Sequence, residues 1–194
     1  AAGVRMLLVL TLACGVAYPL LVTVAALAMP GQSQGSLLSA PDETVVGSSL
    51  IGQKFDGPGW FHARPAVGDY AGDASGGSNL GMSADEQRTA IEQRRAAEKA
   101  ENPDATGDVP ADALTASFSG LDPHISPEYA TWQAPRVAKA RGLSLDRVRA
   151  LIAEYTQGRT LGFIGQPRVN VVELNAALAA AAGPARAAGT TPAP

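Results

Sequence analysis

The chain has 194 residues, 18 of them acidic and 15 basic, for a formal charge of −3. Residues 30–183 hold all 18 acids and 13 of the bases, a local charge of −5, which argues against nucleic acid or anionic lipid as a partner of that region. Two histidines (His62 and His124) and a single cysteine (Cys14) leave little material for a metal centre and none for a disulfide framework.

From Met6 to Met29 (MLLVLTLACGVAYPLLVTVAALAM) 24 consecutive residues carry no charge. As a helix this stretch is roughly 36 Å long, enough to cross a hydrocarbon core of about 30 Å with some tilt. A signal peptide is the first alternative, since Ala26-Leu27-Ala28 has a small-x-small pattern. The run is longer than a signal core and its basic lead-in is only Arg5. A buried core helix is the second, but apolarity on every face is rare in a small soluble domain. Pro19 removes a backbone hydrogen bond in mid-span and is predicted to bend the helix. Ala13, Gly15 and Ala17 would let another helix approach, so the anchor doubles as a candidate interface with Pro19 at its centre. Arg5 precedes the span and the next basic residue is Lys54, which places the N-terminus in the cytoplasm and the rest outside it. The first residue is alanine, so residues before Ala1 are expected.

This gives a stub (1–5), a transmembrane helix (6–29), a linker (30–43), an extracytoplasmic domain (44–183) and a disordered tail (184–194). In the domain, TVVGSSLIGQKF (Thr44–Phe55) reads as a short strand and turn, with Val45, Val46, Leu50, Ile51 and Phe55 available to a core. Trp60 and Phe61 are candidate plugs in a turn-dense stretch. Residues 66–81 form a long Gly/Ser/Asp loop, of a length that is usually functional or disordered. Ser83 and Glu86 have capping-box spacing and open a solvated helix to about Glu101, ended by Asn102-Pro103. Ser126, Pro127 and Glu128 mark another helix start, Pro135 is expected to break or kink that helix, and Gly142 to close it. Ser144 caps a helix over Leu145–Thr156 with an apolar stripe at Leu145, Val148, Leu151, Ile152 and Tyr155. TLGFIGQPRVNV offers one or two short strands, and Asn170 with Glu173 opens a last helix whose Leu174 and Leu178 face the core. The class is a single transmembrane helix plus a small, loop-rich α+β extracytoplasmic domain.

Chemistry is harder to find. Asp122, His124 and Ser126 lie side by side, but sequence neighbours on a turn rarely converge as a triad, and a turn and a cap already account for them. No catalytic or metal-ligating set is assigned. ASGGSNLG (Ala74–Gly81) could form a backbone nest for an anion through Ser75, Gly76, Gly77, Ser78 and Asn79, with Arg64 or Arg159 as counter-charge. It lacks the Gly-Lys-Ser/Thr ending of a phosphate loop. Around the Asp122-Pro123 turn, Ile125, Tyr129 and Trp132 are candidate partner-docking anchors, with core filling as the competing use. A membrane-tethered enzyme or ligand sensor stays open on residues alone.

Five blocks go further: GSSLIGQKF (Gly47–Phe55), the Phe-x-x-Arg-Pro of FHARP (Phe61–Pro65), ASGGSNLG, TASFSGLDPHISPEYATWQAPRVAKARGL and GRTLGFIGQPRVNVVELNAAL (Gly158–Leu178). Together they closely resemble the C chain of the Kdp-type potassium-transporting ATPase, from the span to about Leu178. Phe118 stands where a small residue is usual, and Met82 where proline is expected. The resemblance implies an accessory, non-catalytic subunit of an ATP-driven potassium uptake complex in the bacterial plasma membrane. Its implied partners are a channel-like potassium-binding subunit, a P-type ATPase subunit and a very small membrane subunit. It also implies a chaperone-like role that raises the ATPase subunit's affinity for ATP. Ser75-Gly76-Gly77, similar to an ABC-transporter signature, is the implied nucleotide contact. The orientation argument opposes a direct contact, because ATP is cytoplasmic.

Overall fold

A computed structural model describes residues 2–40 and 43–182; the tail expected over 184–194 lies outside the described residues. The chain divides into two units, Ala1–Leu37 and Leu38–Pro194.

In the first unit, α1 (Ala2–Leu12), a π-helical turn (Ala13–Ala17) and α2 (Tyr18–Leu27) form one continuous helix over Ala2–Leu27. Its best window has a mean hydropathy of 2.3 and no buried surface, so it is long and apolar enough to cross a membrane. The π turn has a local cause. Proline at 19 has no N–H and its ring crowds the carbonyl one turn back, and the helix widens just before it, with Tyr18 N donating to Ala13 O. Thr23 Oγ1 donates back to Pro19 O at 2.8 Å, keeping the threonine hydroxyl paired within the helix. The stretch expected as a linker is partly ordered: α3 (Pro30–Ser33) is a single turn, and β1 (Leu37–Ser39) is a short strand whose Leu38 and Ser39 already belong to the second unit.

The second unit is built around α6. Its elements are β2 (Val45–Ser48), α4 (Asp85–Glu101), α5 (Ala111–Leu114), β3 (His124–Ile125), α6 (Pro127–Arg141), α7 (Leu145–Glu154), β4 (Thr156–Gln157), β5 (Arg168–Asn170) and α8 (Val171–Ala182). Ser126 caps α6 by accepting from Tyr129 N, Pro127 occupies the first turn, and Gly142 closes it at φ 66°. Pro135 does not break this helix. Its missing N–H costs one bond, while Trp132, Gln133, Ala134, Arg136, Val137 and Ala138 are buried around it and hold the axis. Ser144 accepts from Arg147 N to cap α7, which ends at Glu154 because Thr156 enters β4. Val148, Leu151 and Ile152 of α7 are buried against the core, with Leu145 and Tyr155 partly so. Strand β5 is central, antiparallel to β3 (Ile125 opposite Val169) and to β4 (Thr156 opposite Val169). Asn170 Oδ1 accepts from Val172 N at 3.0 Å and Glu173 N at 3.3 Å, the expected start of α8.

Three expectations are corrected. Val45, Val46, Leu50 and Ile51 are exposed: the first two lie on β2, which pairs only with β1 in a separate two-stranded sheet, and the last two lie in the turn that follows it. Ser83 does not cap α4. A turn closed by Ala84 N to Gly81 O puts Ala84 at the N-cap position, and Asp85 and Glu86 supply the first-turn charge. Ile125, Tyr129 and Trp132, weighed as surface anchors, are all buried in the core of this unit. A domain with few large side chains needs them there.

The connection carrying Phe61 and His62 has no strand partner, and two amide side chains stand in for one. Asn175 on α8 accepts from Phe61 N and donates to Phe61 O, both at 2.9 Å. Gln133 on α6 accepts from His62 N at 2.8 Å and donates to His62 O at 3.0 Å. The His62 ring then lies between Gly57 O (3.1 Å) and Glu101 Oε1 (3.3 Å). Burial, and next the Arg136 charge, lower its pKa below 6.5, against the opposing Glu101 and Asp56 carboxylates. The folded chain resists a proton that the unfolded chain accepts, so stability is expected to fall as pH drops through 6.5 toward the folded value. Melting curves from about pH 8 to pH 5 should show this loss. Its slope should be shallower in His62→Gln, and equal slopes would refute the assignment to His62.

Candidate functional site

The glycine-rich loop rests on the turn Ser117–Leu121. Ser75 Oγ donates to Ser119 O at 2.9 Å and Gly76 N donates to the same carbonyl at 2.9 Å. The approach demands glycine. A Cβ on Gly77 would stand 2.9 Å from Phe118 O, and one on Gly120, already at φ +71°, 2.8 Å from Gly76 O. The floor is itself hydrogen-bonded: Ser117 Oγ accepts from Gly120 N and Ser119 Oγ from Leu121 N, each at 3.1 Å. Asn79 takes φ 53°, a left-handed conformation that asparagine tolerates.

Arg64 lies against the same floor. Its Nη2 reaches Thr115 O, Thr115 Oγ1 and Ala116 O at 3.3–3.4 Å, and its Nη1 is 3.7 Å from Asp122 Oδ2. Tyr70 OH donates to Arg64 O at 2.6 Å. Burial pushes the tyrosine up to about 12, with the Asp122 charge adding to the shift and Arg64 opposing it. Asp122 Oδ1 accepts from His124 N at 3.0 Å and is 3.2 Å from His124 Nδ1. Burial raises the Asp122 carboxyl, but the two hydrogen bonds from His124 and the charges of His124 and Arg64 together hold it below its usual value. Ser126, the third member of the imagined triad, instead binds Asp112 through its N–H (2.7 Å) and hydroxyl (3.0 Å) while capping α6. The turn and cap account for all three residues.

Arg159 donates to Gln166 at 3.0 Å, within its own loop. Arg64 thus holds the residues on either side of the floor, with its Nε buried and unpaired, while the hydroxyls of Ser75, Ser117 and Ser119 are spent on backbone groups. Two clefts lie elsewhere. One of about 670 Å³ is walled by Phe55, Trp60, Val172, Ala176 and Ala179 among others and has no charged side chain in its lining. The other, about 470 Å³, carries Asp108 and Glu128 against Arg149, the wrong balance for a polyanion. Among the described residues no group of three or more His, Cys, Asp or Glu could hold a metal ion.

Sequence reasoning missed two features. The first is Arg136, 6% exposed, which gathers Asn102, Gln133 and the carbonyls of Pro58 and Trp60; charged residues at core positions of α6 were the available signal. The second is the exposed apolar hairpin tip around Phe163, in a stretch read only as one or two short strands.

Residues 1–180 match the family described as KdpC, the c chain of K+-transporting ATPases. A potassium-transporting ATPase KdpC subunit of Kineococcus radiotolerans is 53% identical over 182 residues, covering 93% of this chain and 92% of that one. One from Myxococcus xanthus is 50% identical over 177 residues (88% and 82% coverage), and one from Escherichia coli K12 51% over 173 residues (87% and 90%). The departures at Phe118 and Met82 both fall on exposed side chains, where they displace no packing. With the family's blocks present from the span to Leu178 and half of all aligned positions identical, the chain belongs to the family of potassium-transporting ATPase c chains.

Proposed function

We propose that this chain is a non-catalytic, single-pass subunit of a potassium-transporting ATPase complex, assisting its assembly in the bacterial plasma membrane. Its N-terminus lies in the cytoplasm and residues 30–194 lie outside. Its partners are the channel-like potassium-binding subunit, the P-type ATPase subunit and the small membrane subunit that the family resemblance implies. The observation that carries the non-catalytic reading is the fate of the glycine-rich loop. Its Ser75 hydroxyl and Gly76 N–H are spent on Ser119 O, and its glycines serve close backbone approach. A loop used this way supports a structural role over a phosphate cradle. The raised ATP affinity is accordingly an effect at a distance, transmitted through subunit packing, with no nucleotide held by Ser75–Asn79.

Orientation tests this reading. Gly72 and Gly158 are exposed, with open space where a Cβ would stand, so Gly72→Cys and Gly158→Cys are benign probes in a Cys14→Ala background. Both should react with an impermeant thiol reagent in intact spheroplasts. Labelling only after lysis would place the domain beside ATP and overturn the indirect role.

A further inference from the structure

Between β4 and β5 the chain makes a tight hairpin that points three large apolar side chains into solvent: Leu161 is 78% exposed, Phe163 71% and Ile164 50%. The loop is held in one shape. Thr160 and Ile164 exchange backbone hydrogen bonds of 2.9 Å each, and Gly162 N donates to Arg159 O at 3.1 Å. Leu161 adopts φ 54°, a left-handed conformation that is strained for a leucine. Arg159 bonds Gln166 across the base at 3.0 Å. Below it, Val169 of β5 is fully buried, so the hairpin is rooted in the core.

The charge around it is unlike that of the rest of the domain. From Tyr155 to Val172 there are two arginines, Arg159 and Arg168, and no acidic residue, within a region whose net charge is −5 (13 bases, 18 acids). A rigid apolar knob flanked by cations fits an apolar pocket with carboxylates on its rim. Preorganisation favours a shaped protein pocket over a lipid surface. A bilayer needs no fixed loop geometry, and its interface selects Trp, Tyr and Lys, which are absent from Arg159–Arg168. We propose that the Arg159–Arg168 hairpin is the knob through which this domain docks on a protein subunit of the ATPase complex, into an apolar, acid-rimmed pocket. The proposal rests on the reading of the chain as an assembled subunit.

The test uses the full chain co-expressed with the other subunits and purified in mild detergent. Leu161→Ser combined with Phe163→Ser should reduce co-purification at least about tenfold, as loss of a hot spot does, while the melting temperature of the full chain stays unchanged. If the double variant melts lower, Arg159→Glu decides: reduced co-purification at unchanged melting supports the knob. A photo-crosslinking residue at Phe163 should attach to another polypeptide. Full retention of the variants, or crosslinks to lipid only, would overturn the docking proposal and leave the subunit assignment standing. Failure of the wild-type chain to co-purify would overturn the subunit assignment, and the docking proposal with it.

Discussion

Arg136→Met is expected to cost roughly 3–5 kcal/mol of folding stability as several buried acceptors lose their donor at once, equivalent to a fall of about 6–20 °C in the melting temperature of the full chain. The side chain is 6% exposed, and its fork satisfies groups from three parts of the fold. Nε donates to Asn102 Oδ1 at 2.8 Å, Nη1 to the carbonyls of Pro58 and Trp60 at 2.9 Å each, and Nη2 to Gln133 Oε1 at 2.8 Å. Gln133 in turn holds the backbone of His62, so the loss spreads to a second set of bonds. Methionine fills the volume but leaves those acceptors buried without donors, and that desolvation is the larger part of the cost. The ion pair with Glu101, 3.9 Å away on a partly exposed carboxylate, contributes little. Arg136→Lys should fall between, because an ammonium cannot span the fork. A methionine variant that melts like wild type would show that water replaces the fork freely.

Tyr129→Ala is the second large effect, about 3–5 kcal/mol. Tyr129 is 1% exposed at the start of α6, and its hydroxyl donates to Glu98 Oε1 at 2.8 Å, tying α6 to α4. Tyr129→Phe keeps the ring and removes that donor, at about 1–3 kcal/mol. The two variants differ in pH dependence. Burial raises the Glu98 pKa above 4.5, against the opposing hydrogen bond from Tyr129. The phenylalanine variant should be most deficient where Glu98 is ionised, above its folded pKa, and should approach wild type as Glu98 is protonated below it. Tyr129→Ala should stay deficient throughout, since a cavity does not titrate. A variant that melts normally while losing its partner subunits would instead return Tyr129 to the docking role weighed from sequence.

These residues also mark how far the sequence could be read. Capping and termination were legible at Ser126, Gly142, Ser144 and Asn170, because each depends on a few adjacent residues. The apolar stripe of α7 and the anchor helix were legible for the same reason: periodicity and length are local properties. What was illegible depends on long-range placement. Val45, Val46, Leu50 and Ile51 look like core, yet all four are exposed. Pro135 looks like a break, yet tertiary packing carries the helix through it. The glycine loop resembled a ligand nest until Ser119, 44 residues away from Ser75, proved to be its partner. The exposure of Leu161, Phe163 and Ile164 was illegible for the same reason, since a short strand reading says nothing of what packs over it.

The proposed function has the chain support an ATPase without being one. Its most direct test is potassium-stimulated ATP hydrolysis by three preparations: the full chain alone, the complex purified with it, and the complex purified without it. The chain alone should give no turnover above a buffer blank, and the complex lacking it should dissociate or require more ATP for half-maximal rate. Hydrolysis by the chain alone that disappears on substituting Ser75 or His124, or an intact complex with unchanged ATP dependence in its absence, would contradict the account.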